Sequence, residues 1–277
     1  MAATPMQRIH PRITLQRRHR HMLTLVSMAL PLLLFILLPL VALLVRTGWQ
    51  ALAANMVSTP VMQTIVLTMT TTLLATLLAV LLGTPLAYLL ARYNFRGRIV
   101  LETLVELPMV LPPAVAGIAL LMAFGRRGVF GTHLSAFGLE LAFTQMAVVL
   151  AQLFVAGPFY IKSALAGFAR IEHDVQEAAA IDGANPWMVF LRMTVPLAWP
   201  ALLGGMVMTW ARALGEFGAT IIFAGNFPGR TQTMPLAIYI GFELDLRVAL
   251  TLSIVLLVIS FAVLALVKGL LRQRLVP

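Results

Sequence analysis

Apolar residues occur along the chain in six long stretches, which are separated by shorter polar segments. A helix needs about 20 predominantly apolar residues to cross the hydrocarbon core of a bilayer, and each stretch reaches that length. The pattern predicts an all-α integral membrane protein with about six transmembrane helices. The predicted spans are 22–45, 62–91, 100–124, 140–161, 197–224 and 246–268.

Basic residues flank these stretches unevenly. With the N-terminus in the cytoplasm, most of the 20 Lys and Arg residues fall on the cytoplasmic side of the predicted spans. The positive-inside rule therefore predicts a multi-pass protein of the inner (plasma) membrane with both termini in the cytoplasm. We expect a basic cytoplasmic segment over 1–21 and a single transmembrane domain over 22–277.

The composition supports this fold class and argues against a nucleic-acid partner. Hydrophobic residues make up 60% of the chain and charged residues 11%, whereas a soluble domain carries about 25% charged residues. The formal net charge of +10 would suggest nucleic acid in a soluble protein. Here the basic residues lie beside the apolar stretches, as an orientation signal does, so we expect no nucleic-acid partner.

The third predicted span contains the adjacent prolines Pro112 and Pro113. A proline removes a backbone donor and kinks a helix. Such breaks are tolerated in a membrane where a neighbouring helix or a water-lined cavity satisfies the freed groups. Two interpretations stay open: the third span lines a translocation pathway, or the prolines make an ordinary packing kink.

The fifth predicted span carries Arg212 and Glu216, which are four residues apart and can pair on one helix face. A charge near the bilayer centre costs at least about 2.5–3.5 kcal/mol on insertion scales. Gly215 and Gly218 would let another helix approach closely, and Thr220 lies near the same face. The segment is either a pathway or gate face, in which Arg212 attracts an anion, or a self-neutralising pair that fixes helix packing.

Residues 162–196 form a predicted cytoplasmic loop that is far longer than a turn between two spans requires. A helix that rests on lipid headgroups carries Lys and Arg on its polar face, whereas this loop is acidic. A lever that contacts another protein is therefore favoured over a membrane-surface helix. The acids are Glu172, Asp174, Glu177 and Asp182.

Capping signals divide this loop into two short helices. Asp174 and Glu177 form a capping box at the start of the first helix, and Gly183 suits the left-handed residue after its end. Asn185 can cap the second helix, which begins with a proline. We expect Pro196 to end the second helix before the fifth span begins.

The loop resembles the EAA loop of ABC-importer permeases, in which E-A-A is followed by three residues, G, nine residues and I-x-L-P. The chain departs at the I and L positions, where it has Met193 and Val195. The resemblance implies that the loop inserts into a groove of a separate ATPase subunit. The predicted coupling residues are Asp174, Glu177, Ala178, Ala179, Asp182, Gly183 and Pro196.

The chain lacks the Gly-Lys pair with which a P-loop cradles phosphates, because its lysines follow Ile161 and Val267. We therefore expect no enzymatic activity and no cofactor in this chain. ATP and Mg²⁺ would bind to the partner ATPase subunit.

Further segments resemble the sulfate and molybdate (oxyanion) branch of these permeases, and molybdate permeases most. The resemblance implies translocation of a tetrahedral oxyanion, molybdate or tungstate, with sulfate or thiosulfate as the alternative. It also implies cytoplasmic ATPase subunits, a second permease copy in a homodimer and an extracytoplasmic oxyanion-binding protein. The segments are 111–117, 124–128, 212–218, 224–226 and 233–239.

Two other classes of membrane protein fit the sequence less well. An ion-coupled secondary transporter or channel often has paired broken helices or inverted repeats, which the sequence pattern does not indicate. A membrane hydrolase would carry a motif such as H-E-x-x-H or G-x-S-x-G, and neither occurs.

Overall fold

The computed structural model of the chain describes residues 11–172 and 185–275, in which every regular element is a helix. Helices satisfy their own backbone polar groups, which a bilayer demands of a spanning segment. A π-helical turn, Phe190–Thr194, joins α8 to α9. The helices are α1 (Pro11–Arg46), α2 (Trp49–Met56), α3 (Thr59–Arg92), α4 (Arg98–Val110), α5 (Pro113–Phe124), α6 (Gly131–Ala136), α7 (Gln145–Ala169), α8 (Pro186–Val189), α9 (Val195–Leu214), α10 (Gly218–Phe223), α11 (Met234–Leu244) and α12 (Leu246–Leu275).

Within the described residues, five helices are long and apolar enough to cross a membrane. The pair of α4 and α5 passes the same test jointly, but it is bent by 117° at the break between the two helices. The prediction of an all-α protein with about six transmembrane helices is confirmed. The five spans are Thr24–Arg46, Thr59–Arg92, Gln145–Ala169, Pro186–Leu214 and Leu246–Gly269.

The contacts within the chain define two compact units, Met1–Trp49 and Gln50–Pro277. In the first unit, α1 is one helix that contains Pro31 and Pro39. In the second unit, buried side chains from its helices form three apolar clusters. The predicted gate residues all belong to the second unit.

Small residues bring α3 and α7 together and show that they run in the same direction. Gly157 of α7 lies opposite Ala79 of α3. Further along both helices, Gly83 of α3 lies opposite Ile161 of α7. We call the end of the bundle where α3 and α7 begin the upper end, and the end where they finish the lower end.

The helix α9 runs against α7. Gly167, near the end of α7, packs on Ala198, near the start of α9. Gly205, further along α9, packs on the backbone of Tyr160, which lies earlier in α7. Because glycine has no side chain, the helix axes can approach closely at these points. The helix α9 therefore carries the chain from the lower end to the upper end.

The bent pair of α4 and α5 acts as one broken span. Glu106 of α4 pairs with Lys162, in the second half of α7, at 3.0 Å. Leu120 of α5 instead shares a buried cluster with Ala147, at the start of α7. Because α3 and α7 run in the same direction, the chain between them must return from the lower end to the upper end, and α4 and α5 provide this return.

The fourth span is longer than predicted. We expected it to end at residue 161 and Lys162 to lie in the loop, but α7 continues to Ala169. Lys162 remains in the helix because its half-exposed ammonium group pairs with Glu106, while a lysine stem can lie along apolar surface. The segment between α7 and α8 is therefore shorter than 162–196.

The prediction that Pro196 ends a separate short helix is wrong. Pro186–Leu214 forms one continuous span, and the π-helical turn directly precedes the proline. In this wider turn the backbone N–H of Val195 donates to the carbonyl of Phe190, five residues earlier. The turn lets the helix pass a proline, which has no backbone N–H of its own.

Candidate functional site

Two broken helices meet in the second unit. One break lies between α4 and α5 at Leu111 and Pro112, and the other lies between α9 and α10 at residues 215–217. A Cβ atom added to Gly218 would lie 2.6 Å from the Cβ of Pro113, so the first turns of α5 and α10 are in direct contact. The structure thus brings together the predicted gate residues of the third and fifth spans.

A second glycine keeps α5 and α10 in contact along their length. A Cβ atom added to Gly117 would lie 2.8 Å from the Cβ of Ile222 and 2.9 Å from the carbonyl oxygen of Ala219. The two helices therefore pack almost backbone against backbone. The sequence interpretation did not include Gly117 among the gate residues, although it closes the 111–117 segment that carries the family resemblance.

We expect Gly218→Ala to lower the free energy of unfolding by about 1–3 kcal/mol, the usual cost of overpacking a filled contact. The added methyl group would meet Pro113, which cannot rotate away. Thermal unfolding of the purified chain measures the effect.

Gly204→Ala is the matched control, because nothing lies within 4 Å of a Cβ atom at Gly204. Alanine is also a better helix former than glycine, so this variant should keep its stability or gain slightly. Equal melting temperatures for Gly218→Ala and the unaltered chain would contradict the packing described here.

Consecutive prolines cause the first break. Pro112 has extended backbone angles, φ −53° and ψ 134°, because a residue that precedes a proline is disfavoured in the helical region. Pro113 then begins α5, where a missing N–H costs no helix hydrogen bond. The predicted proline break is confirmed, but the bend of 117° means that 100–124 is not one continuous helix.

Glu216 organises the second break. Its carboxylate is 1% exposed, and one oxygen accepts from Arg212 Nη1 at 2.8 Å. The other oxygen accepts from the backbone N–H of Ala219 at 2.9 Å, in the first turn of α10. Because free N–H groups at a helix start favour a negative charge, the carboxylate joins the end of α9 to the start of α10. The predicted single span over 197–224 is wrong, since α9 ends at Leu214.

Arg212 is paired with Glu216 but keeps donors for another anion. A guanidinium carries five N–H donors, and within the described ranges this side chain donates one hydrogen bond, to Glu216. The Arg212 side chain is 31% exposed. The two interpretations of the pair are therefore compatible, because the buried carboxylate can orient a half-exposed cation.

Gly215 and Thr220 have different surroundings. Gly215 is exposed, and a Cβ atom there would meet only the carbonyl oxygen of Ala211, at 4.0 Å. Thr220 is fully buried, and its hydroxyl group has no hydrogen-bond partner among the described residues. Close helix contacts were predicted at Gly215 and Gly218. Within the described residues the contact forms at Gly218 and not at Gly215.

Other buried polar groups of the second unit are also without a hydrogen-bond partner in the described ranges. Gln152 of α7 is fully buried with both amide atoms unpaired, and Thr209 of α9 is buried with an unpaired hydroxyl group. Burying such groups without a partner is costly, so these are positions that a hydrogen-bond partner such as water would stabilise. The sequence interpretation missed Gln152, although an amide within an apolar span was the signal for it.

The sequence pattern did not indicate paired broken helices, and this absence was an argument against a secondary transporter. That observation is wrong, because two broken helices meet here. Broken helices place irregular backbone at a buried polar site in several transporter classes, so they do not by themselves decide the class.

Most of the predicted coupling residues lie outside the described residues, and of them only Pro196 is described. The flanking helices both reach the lower end, where α7 finishes and α8 begins. Asn185 caps α8 as predicted, since its side chain accepts from the backbone N–H of Trp187 at 3.0 Å. The residues outside the described ranges are Asp174, Glu177, Ala178, Ala179, Asp182 and Gly183.

A protein-family model described as the inner membrane component of binding-protein-dependent transport systems matches residues 83–276. The match includes both broken helices and the segment between α7 and α8. The chain belongs to this family. The resemblance to ABC-importer permeases is therefore confirmed, and the membrane-hydrolase and secondary-transporter classes are set aside.

Named relatives fall in the oxyanion branch. The chain is 45% identical over 232 residues to the molybdenum transport system permease protein ModB of Mycobacterium tuberculosis, covering 82% of this chain and 86% of that protein. It is 48% identical over 155 residues to the putative molybdenum transport system permease protein YvgM of Bacillus subtilis, covering 56% and 68%. It is 37% identical over 180 residues to the probable sulfate transport system permease protein cysT of Nephroselmis olivacea, covering 65% and 63%.

Solved structures support the fold. A chain of a bacterial ABC transporter involved in the import of the acidic polysaccharide alginate matches with a TM-score of 0.73 at 18% identity, covering 95% of this chain and 100% of that one. A chain of the MetNI methionine ABC transporter in an inward-facing conformation matches with a TM-score of 0.54 at 17% identity, covering 85% and 97%. At these identities the similarity concerns the fold alone.

Proposed function

We propose that this chain is the permease subunit of an ATP-driven importer that translocates molybdate or tungstate across the cytoplasmic membrane. The observation that carries the proposal is the 45% identity, over 82% of the chain, to a permease named for molybdenum transport. The family match over residues 83–276 includes the site at the two breaks.

The electrostatics of the site favour a dianion. Arg212 is half-exposed, and the carboxylate of Glu216 beside it is buried with both oxygens engaged. A free carboxylate on the route would repel molybdate, whereas a carboxylate neutralised by its partner does not. Arg212 can therefore attract the anion without an opposing charge exposed next to it.

The continuous span from Pro186 to Leu214 offers a mechanical link between the loop and the site. At 1.5 Å per residue its 29 residues extend about 43 Å. Its lower end adjoins the segment that resembles an EAA loop, and its upper end carries Arg212. A displacement of the loop by ATPase subunits, which would bind ATP and Mg²⁺, would be transmitted along this helix to the junction with α10.

The orientation in the membrane, a second copy of the chain and a binding protein are parts of the same proposal. We propose that the lower end of the second unit faces the cytoplasm, because Arg92, Arg96 and Arg170 lie there. We also propose, from the positive-inside rule, that both termini are cytoplasmic. A second copy of the chain would complete the route as a homodimer. An extracytoplasmic binding protein would deliver the oxyanion to the upper end.

Sulfate or thiosulfate is the second candidate substrate, and the 37% identity to a probable sulfate permease supports it. Uptake of radioactive molybdate by the complete transport complex, with competing anions, separates the two. We expect tungstate to compete with molybdate and sulfate to have little effect. Equal competition by sulfate would favour the sulfate branch, and uptake that needs no ATP would contradict an ATP-driven importer.

A further inference from the structure

An apolar groove of about 580 Å³ opens at the lower end, between the last turns of α3 and the α8–α9 segment. Aromatic rings form much of its wall. Tyr88 and Trp187 both contact Phe190, with ring centroids 4.8 and 5.7 Å apart. Trp187 is 66% exposed, and exposed Trp is typical of the level at which lipid headgroups begin.

Thr84, which lines the groove, has its hydroxyl group already satisfied within the protein. Thr84 donates to the carbonyl oxygen of Val80 at 2.6 Å, and its hydroxyl oxygen lies 2.6 Å from the hydroxyl of Tyr160. These hydroxyl groups satisfy each other inside the protein. An occupant therefore gains nothing from polar atoms here and would itself be apolar.

An arginine that has no ion pair among the described residues continues the face of α3 that lines the groove. Arg92 is one helical turn beyond Tyr88, on the same face of α3. Its Nε and Nη2 atoms are buried and have no hydrogen-bond partner among residues 11–172 and 185–275. A covered guanidinium is costly until an anion accepts from it. Arg192, which is exposed and follows the groove residue Leu191, adds a second positive charge.

We propose that this groove binds an anionic phospholipid, with one acyl chain along the aromatic wall and the headgroup phosphate at Arg92. Along the groove, the apolar floor and the aromatic wall are followed by a cation. A phospholipid has the same order, because its acyl chain is followed by a charged phosphate. The volume also lies within the range of about 300–1,000 Å³ that is usual for ligand sites. An anionic lipid is favoured over a zwitterionic one because Arg92 and Arg192 have no carboxylate partner in the described residues.

The test uses quenching of Trp187 fluorescence by lipids with brominated acyl chains. The full chain is reconstituted in phosphatidylcholine vesicles, and brominated phosphatidylglycerol or brominated phosphatidylcholine replaces part of the lipid. The difference between the unaltered chain and Trp187→Phe isolates the signal of Trp187. We expect half-maximal quenching by brominated phosphatidylglycerol at a membrane fraction about fivefold lower than that needed with brominated phosphatidylcholine. One arginine near an anionic surface contributes a preference of this size.

Variants, and competition by a free anion, test whether Arg92 causes the preference for the anionic lipid. Arg92→Gln should abolish the preference for the anionic lipid, Arg92→Lys should keep most of it, and Arg247→Gln, at the upper end, should leave it unchanged. Equal quenching by both lipids, or a preference that survives Arg92→Gln, would overturn the proposal. So would an absence of quenching, which would mean that another protein surface covers the groove. Loss of the preference in inorganic phosphate, but not in potassium chloride of equal ionic strength, would assign Arg92 to a free oxyanion and would also overturn it.

Discussion

Replacing Arg212 with methionine will lower molybdate uptake by about tenfold to a hundredfold, as expected for the loss of one hydrogen bond from a charged group to the anion. The same change will lower the free energy of unfolding by about 3–5 kcal/mol, because it leaves the buried carboxylate of Glu216 without its cation. Uptake and thermal unfolding of the same preparation measure the two effects.

A double variant separates the loss of uptake from the loss of stability. In Arg212→Met with Glu216→Gln, no buried charge remains, and the amide oxygen can still accept from the N–H of Ala219. We expect this variant to regain most of the lost stability while uptake stays low, because the cation for the oxyanion is missing. Arg247 is exposed and has no ion pair among the described residues, so Arg247→Met should change neither uptake nor stability. Normal uptake by the stable double variant would show that the pair serves packing alone.

The length and apolar character of the spans were predictable from the sequence because a bilayer imposes both. The second span was expected over 62–91 and is observed at Thr59–Arg92, and the last was expected over 246–268 and is observed at Leu246–Gly269. Neither helix has a charged residue deep inside, although α3 begins with Pro60 in its first turn and continues through Pro85. Local sequence alone decides where they begin and end.

The fourth and fifth spans were harder to predict because their limits depend on tertiary contacts. Lys162 resembled a membrane boundary, but Glu106 on another helix pairs with it and the helix continues. Arg212 and Glu216 pair as predicted, yet Glu216 lies beyond the end of α9 and also caps a new helix at Ala219. A spacing of four residues is compatible with both arrangements.

The site was predictable in its residues but not in its arrangement. Prolines and paired charges singled out Pro113, Arg212 and Gly218 from the sequence. Their meeting requires α5 and α10 to pack through Gly117 and Gly218, which no pattern within either segment reveals. The coupling residues Glu177 and Gly183 stay a prediction from the motif.

Substitutions in the predicted coupling loop should uncouple ATP hydrolysis from uptake. We expect Glu177→Ala and Gly183→Val to reduce uptake by about tenfold or more, which corresponds to a loss of about 1.4 kcal/mol in docking to the ATPase subunit. Valine is disfavoured in the left-handed conformation expected at Gly183. Glu172→Ala is the matched control, because it removes the same charge from the same loop outside the motif.

The most direct test of the account is to measure ATP hydrolysis and molybdate uptake in the same vesicles, which contain the complete complex with the Glu177→Ala permease. We predict that hydrolysis continues while the number of anions imported per ATP falls sharply, and that Glu172→Ala keeps the ratio of the unaltered complex. An unchanged ratio in both Glu177→Ala and Gly183→Val would contradict the claim that energy enters the membrane helices through this loop.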